Sequence, residues 1–480
     1  MKQKSLKTNL VLSLFKTMMS LIFPLITFPY ASRVLLPEGL GKVNFAQSIV
    51  SYFSLIAALG ISTYSIREIS KRKDDSESVN KFFSEIFFIN LISTLVAYLL
   101  LFIIVSISKK LSSYSTLIYV MSSVILFTTI GVDWLYTGME DFFYITVRSF
   151  IFQCLSLILL FLFVKKTDDI LIYASISVIA SAGSNVCNFI HSRKYAKFVK
   201  IKIKSSIVHL KPIIIIFLTA VANSIYTMLD TTMIGFISGD EHVGFYTVAT
   251  KLNRIVLSVI LTIGPVMLPR LSYMKSINDE KGYRDLLNKS ISMMLLFACP
   301  CVVGLELLCE PVILLLSGEK YLPALTAMRI MNPIIFIVCF GNFFGVQVFL
   351  PNNKERLNLI FIVFASIVNF LLNCFLIPRY SEAGAAIASV IAESCVSVCS
   401  IIFGYKYIKT KFVIANCFRY IVNSLLMGIG VYFISGLITS YILKLVVSIV
   451  VGVGIYGILL LIEKDFIVMS VLEKKIRRNV

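Results

Sequence analysis

The segment GFYTVATKLNRIVLSVILTIGPVMLP, residues 244–269, decides how the chain is read. At about 1.5 Å per residue, a helix of this length outreaches a hydrocarbon core of roughly 30 Å. Lys251 and Arg254 nevertheless sit inside it, about 10 and 15 Å from its start. A charge at that depth costs at least about 2.5–3.5 kcal/mol. At about 100° per residue, Thr247, Lys251, Arg254, Ser258 and Thr262 fall within about 80° of one another. They form one polar stripe on an otherwise apolar helix, and such a stripe faces other helices or water, not lipid.

The rest of the chain is of the same kind. Of its 480 residues 58% are hydrophobic and 15% charged, with a mean hydropathy of +0.89. That is too much apolar surface for a soluble fold to bury. Hydropathy predicts fourteen spanning helices, near 8–30, 42–66, 83–106, 114–136, 142–164, 169–190, 212–237, 244–269, 288–309, 325–350, 357–378, 383–408, 416–437 and 440–462. The first apolar run reaches about Leu36 with no A-x-A site after it, so it reads as a span, not a signal peptide. The ten cysteines form no C-x-x-C pair and lie mostly in apolar spans. They read as small core hydrophobes, with no metal ligation expected.

Charge distribution orients the chain. Of the 45 Lys and Arg, 30 lie in the termini and one alternate set of connections, nine in the other set and six within spans. The positive-inside rule then places both termini in the cytoplasm. It also accounts for most of the net +19 without nucleic acid. One connection dissents: GVDWLYTGMED (131–141) carries no Lys or Arg, and Arg148 just beyond it is expected either at the cytoplasmic mouth or in a cavity. No connection is long enough for a catalytic domain, and no P-loop is present. A transporter or channel, with no cofactor, is the simplest class.

The chain is also doubled. EGLGKVNFA (38–46) aligns with EHVGFYTVA (241–249), Glu38, Gly41 and Ala46 falling on Glu241, Gly244 and Ala249 at a constant offset. Each copy joins a span to the next, helices 1 and 2 or 7 and 8. Helices six apart run in the same direction, so the repeat is parallel. The expected architecture is all-α and polytopic: an N-lobe of helices 1–6 (1–192), a basic cytoplasmic linker (193–211), a C-lobe of helices 7–12 (212–411), and helices 13–14 with a basic tail (412–480). The two pseudo-symmetric six-helix lobes are expected to enclose a central cavity.

Polar stripes recur on other spans: Lys16 and Ser20 on helix 1, Asn44 and Ser48 on helix 2, Asn223, Thr227 and Asp230 on helix 7, Ser389 and Glu393 on helix 12. Small hydroxyls and amides also serve plain helix packing. Two adjacent cations need more, because one acid such as Asp230 leaves net positive charge. A hydrated, positive cavity suits an anionic solute, and Arg suits phosphate. The expected cationic site is Lys251, Arg254, Lys16 and Arg148. The expected polar lining is Thr247, Ser258, Asn44, Ser48, Asn223 and Thr227, and Asp230 and Glu393 are the acids available for ion coupling. The histidines at 191, 209 and 242 are read as loop residues without a role.

DWLYTGMEDFFYITVRS (133–149), VGFYTVATKLNRI (243–255), PVILLLSGEKYLPA (311–324) and LIPRYSEAGAAIASVIAE (376–393) resemble, in order and over nearly the whole chain, Wzx-type O-antigen flippases. These belong to the multidrug/oligosaccharidyl-lipid/polysaccharide flippase superfamily. The resemblance implies movement of undecaprenyl-pyrophosphate-linked oligosaccharide from the cytoplasmic to the periplasmic leaflet of the inner membrane by alternating access. It implies basic residues on the cavity wall where Lys251 and Arg254 stand, and a polysaccharide polymerase and chain-length regulator as partners. Fourteen helices resemble the lipid II flippase branch instead. A drug or cation antiporter would prefer acids to these basic stripes. An O-antigen polymerase would carry a large periplasmic loop, which this chain lacks.

Overall fold

The computed structural model describes residues 6–408 and 412–469. They are helical, with no strand among the described residues. Eleven helical stretches among them are long and apolar enough to cross a membrane. Two of these, Met18–Arg72 and Glu355–Ile408, run to 55 and 54 residues, which as straight helices would reach about 80 Å. Each is broken by a residue in non-helical geometry, Leu36 at φ 60°, ψ 174° and Ser381 at φ 49°, ψ −124°. Each is therefore two crossings. With the 28-residue apolar helix Leu210–Ile237, the crossings number about fourteen, as expected.

By contact the chain divides into two compact units, 1–244 and 245–480. In the first, α1 (Leu6–Ala58) lies at the centre, packed by α3 (Ser76–Ile107), α5 (Ser115–Gly131), α7 (Phe142–Phe163) and α11 (Leu210–Ile237). Around these, α2 (Ile61–Arg72) packs on α6 (Asp133–Gly138), and α8 (Ile170–Val178) and α9 (Asn185–His191) pack on α5. The short helices α4 (Lys109–Ser113) and α10 (Ile203–Ile207) join them. The second unit continues α12 (Asp240–Leu261) through α13 (Ile263–Ser276) to α14 (Glu280–Leu316). On α14 pack α16 (Ile334–Asn342), α18 (Phe412–Leu437) and α19 (Tyr441–Ile462), while α15 (Ala324–Met331) and α16 pack on α17 (Glu355–Ile408).

Side-chain placement is inverted relative to a soluble protein. On α3 the polar Asn90, Ser93 and Thr94 are buried, while Leu95, Leu99 and Phe102 are exposed. A lipid solvent dictates this: tails solvate Leu, and only neighbouring helices satisfy polar groups. The buried groups serve the backbone. Asn90 Nδ2 and Ser93 Oγ both donate to the Ala57 carbonyl, 2.9 and 2.7 Å away. That carbonyl is orphaned because α1 ends at the left-handed Leu59 and Gly60.

The two matching segments meet each other. A side chain added to Gly41 would overlap the Asp240 carbonyl, and one added to Gly244 would overlap that of Pro37. The offset between the copies carries Pro37 onto Asp240 and Gly41 onto Gly244. The two contacts are thus exchanged by the repeat, as across a two-fold axis.

Candidate functional site

The first cationic group is built where α5 gives way to α6. Val132 adopts φ 39°, which stops α5 and starts α6 at Asp133. The Asp133 carboxylate then receives Asn188 Nδ2 from α9, and the same amide also donates to the Gly131 carbonyl at 2.7 Å. Arg148, two turns into α7, donates from Nη2 to Asp133 Oδ1 at 3.2 Å. Arg148 is 6% exposed, and its Nε and Nη1 have no hydrogen-bond partner. Beside it opens a cavity of about 160 Å³ whose lining includes Lys16 of α1, Asp133, Arg148, Gln153 and Asn185. The structure therefore brings Lys16 and Arg148 together and adds Asp133, which the sequence reading had not singled out.

A second polar group lies on α1 and α11. Thr232 donates to Ser48 Oγ at 3.0 Å, and Tyr52 lies within electrostatic reach of the buried Asp230. Asn44 Nδ2 donates to the Leu40 carbonyl at 2.7 Å. The side chain of Asn223 lies outside the described residues.

The third lies on α12. Lys251 is half-buried and Arg254 exposed, one turn apart and within range of each other's charge. Thr247 is half-buried on the same face. Tyr246 meets Ser389 of α17 across 3.3 Å, one turn before the half-buried Glu393.

Several hydroxyls of the stripes donate to their own helix. Ser48 donates to Phe45 O, Thr227 to Ser224 O and Ser258 to Ile255 O. This i−3 pattern satisfies a hydroxyl's donor inside an apolar span. The histidines need correction. His209, at the start of α11, lies between Glu85 Oε2 at 3.0 Å and the Tyr64 hydroxyl at 2.7 Å. His191 ends α9 and stacks on Tyr144, ring centres 4.0 Å apart. Neither is an idle loop residue.

A polytopic helical chain with cations inside its spans is of the class of membrane solute carriers. The family model described as "Polysaccharide biosynthesis protein" matches residues 6–275, and the chain belongs to that family. A second model, MatE, matches residues 215–376. A protein named as an O-antigen transporter of Escherichia coli (strain K12) is 24% identical over 83% of this chain and 96% of its own length. Among solved structures, the lipid II flippase MurJ in an inward closed conformation superposes at TM-score 0.79 with 18% identity, covering 95% of this chain and 100% of that one. An inward-facing multidrug resistance MATE family transporter of the MOP superfamily superposes at TM-score 0.64 with 16% identity, covering 81% and 94%. The fold is that of this superfamily.

Proposed function

We propose that the protein is a flippase that carries undecaprenyl-pyrophosphate-linked oligosaccharide from the cytoplasmic to the periplasmic leaflet of the inner membrane. The observation that carries the reading is the set of cations inside apolar spans, Lys251 with Arg254 and Lys16 with Arg148, in a member of a polysaccharide biosynthesis family. Lys251 and Arg254 receive the pyrophosphate, because adjacent cations lower the barrier to moving an anionic head group through a low-dielectric core. Lys16 and Arg148 add to the positive potential. The lobes 1–192 and 212–411 rock about the site, with 412–480 as an addition, and both termini are cytoplasmic. Thr247, Ser258, Asn44, Ser48, Asn223 and Thr227 meet sugar hydroxyls, and Asp230 and Glu393 are the acids through which an ion gradient biases the cycle. A polymerase and chain-length regulator would take up the product.

The test is deletion in the native bacterium, complemented by wild type or by the Lys251→Ala/Arg254→Ala double variant. Loss of surface polysaccharide with lipid-linked units held on the cytoplasmic leaflet, restored by wild type alone, supports the reading. Normal polysaccharide in cells carrying only the double variant overturns the cationic site. The MurJ-like fold, with α18 and α19 packed on α14, favours one second reading, lipid II as cargo. Rescue of a strain depleted of its lipid II flippase would establish that reading.

A further inference from the structure

The Arg148 cavity holds a charge that its own residues do not balance. Lys16 and Arg148 bring two positive charges and Asp133 one negative. Asp133 is already engaged by Arg148 Nη2 and Asn188 Nδ2, and it is half-exposed. Arg148 keeps two donors, Nε and Nη1, without acceptors on a side chain more than nine-tenths buried. Interior donors are almost always satisfied, and a buried guanidinium is strongly driven to complete its bonds. Water can accept from Nε and Nη1, but it leaves the net positive charge standing. A cation would worsen the imbalance.

We propose that this cavity, between α1, α7 and α9, is a binding site for one monovalent inorganic anion of the halide class, held by Arg148 Nε and Nη1 and by Lys16. One such anion brings the cavity to neutrality. The volume of about 160 Å³ takes a halide with a few waters, at roughly 30 Å³ each. One of those waters donates to Gln153 Oε1, a buried acceptor otherwise without a partner. The site lies within the first unit and its occupant is a free inorganic anion, not the carried lipid, so it goes beyond the flippase reading. The same guanidinium chemistry would also accept a phosphate of the carried lipid, and the experiment separates the two sources.

The full-length protein is purified in detergent, exchanged into sodium gluconate and titrated with sodium chloride or bromide at constant ionic strength. The expected result is a saturable rise in Tm with either halide. In Lys16→Gln the midpoint moves to about tenfold higher halide, the loss of one favourable charge contact. In Arg148→Met the rise is abolished. Bromide soaked into crystals gives an anomalous peak within about 3.5 Å of the guanidinium, the range of its hydrogen bonds. If Arg148→Met does not fold, Lys16→Gln decides, because Lys16 is exposed. Equal Tm in gluconate and halide, with no bromide at Arg148, means water alone and overturns the proposal. Displacement of bromide by undecaprenyl pyrophosphate places the head group there and overturns it as well. Normal surface polysaccharide in the deletion strain would sink the flippase reading and leave the halide result untouched.

Discussion

Arg148 shows how a single side chain divides what a sequence discloses from what it conceals. A cation a few residues into an apolar span is conspicuous, but its partner is not. Asp133 stands fifteen positions earlier on a different helix, and periodicity relates residues only along one helix. The break at Val132 that aims Asp133 left no trace in hydropathy. Asp133→Ala should therefore lower stability by about 1–2 kcal/mol, the lower part of the range for an orphaned charged donor because Asp133 is half-exposed. Denaturation in nanodiscs measures it, and an unchanged midpoint would show that the pair adds nothing. The hydroxyls were ambiguous for another reason. Ser48, Thr227 and Ser258 look the same in a sequence whether they reach a neighbour or their own preceding turn, and only coordinates show the second. Small residues differ in the same hidden way. Gly304 has nothing within 4 Å of an added Cβ, so Gly304→Ala should stabilise α14 by about 0.5–1 kcal/mol through helix propensity. Gly41→Ala, which meets backbone, should destabilise. A pair of thermal melts compares them, and equal shifts of one sign would contradict the packing at Gly41.

The helices themselves were legible because about twenty apolar residues in a row have few other uses. The places where they stop were legible to a few residues only. The turn between the first two crossings turns on Leu36, in a φ, ψ region that belongs almost wholly to glycine, and nothing in the local sequence announces it. Ser381 plays the same part between the crossings of α17. Ser381→Gly should raise stability by about 1 kcal/mol, strain relief outweighing the added freedom of the unfolded chain. A lower chemical-denaturation midpoint would show that serine is preferred there. The basic connection between α9 and α11 is strapped down. Lys197 N donates to Asn80 Oδ1 at 2.7 Å and Val199 N to Ser84 Oγ at 2.9 Å. His209 closes the strap on the buried Glu85. His209→Leu leaves that carboxylate without its ring nitrogen, at a cost of about 2–3 kcal/mol, while the Glu85→Leu/His209→Leu double variant should recover part of the loss. Faster tryptic cleavage within 193–204 in the single variant alone would report the released strap, and equal cleavage of both variants would count against it.

For the whole molecule, the proposed topology, with both ends on the cytoplasmic side, rests on an even number of crossings and on the distribution of Lys and Arg. Green fluorescent protein fused after Val480 should fluoresce, and alkaline phosphatase at the same place should stay inactive. The reverse pattern would invert the topology and the direction of transport with it. The segment around Gly41 and Gly244 carries a consequence of a different kind. A chain that touches itself through two copies of one stretch offers chance two targets for every contact. Pro37 with Gly244 and Asp240 with Gly41 form a closed ledger in which neither glycine can drift to a larger residue while the opposite backbone keeps its place. The two segments are thus bound to one another, so that a change of size in either has to be answered by a shift in the other.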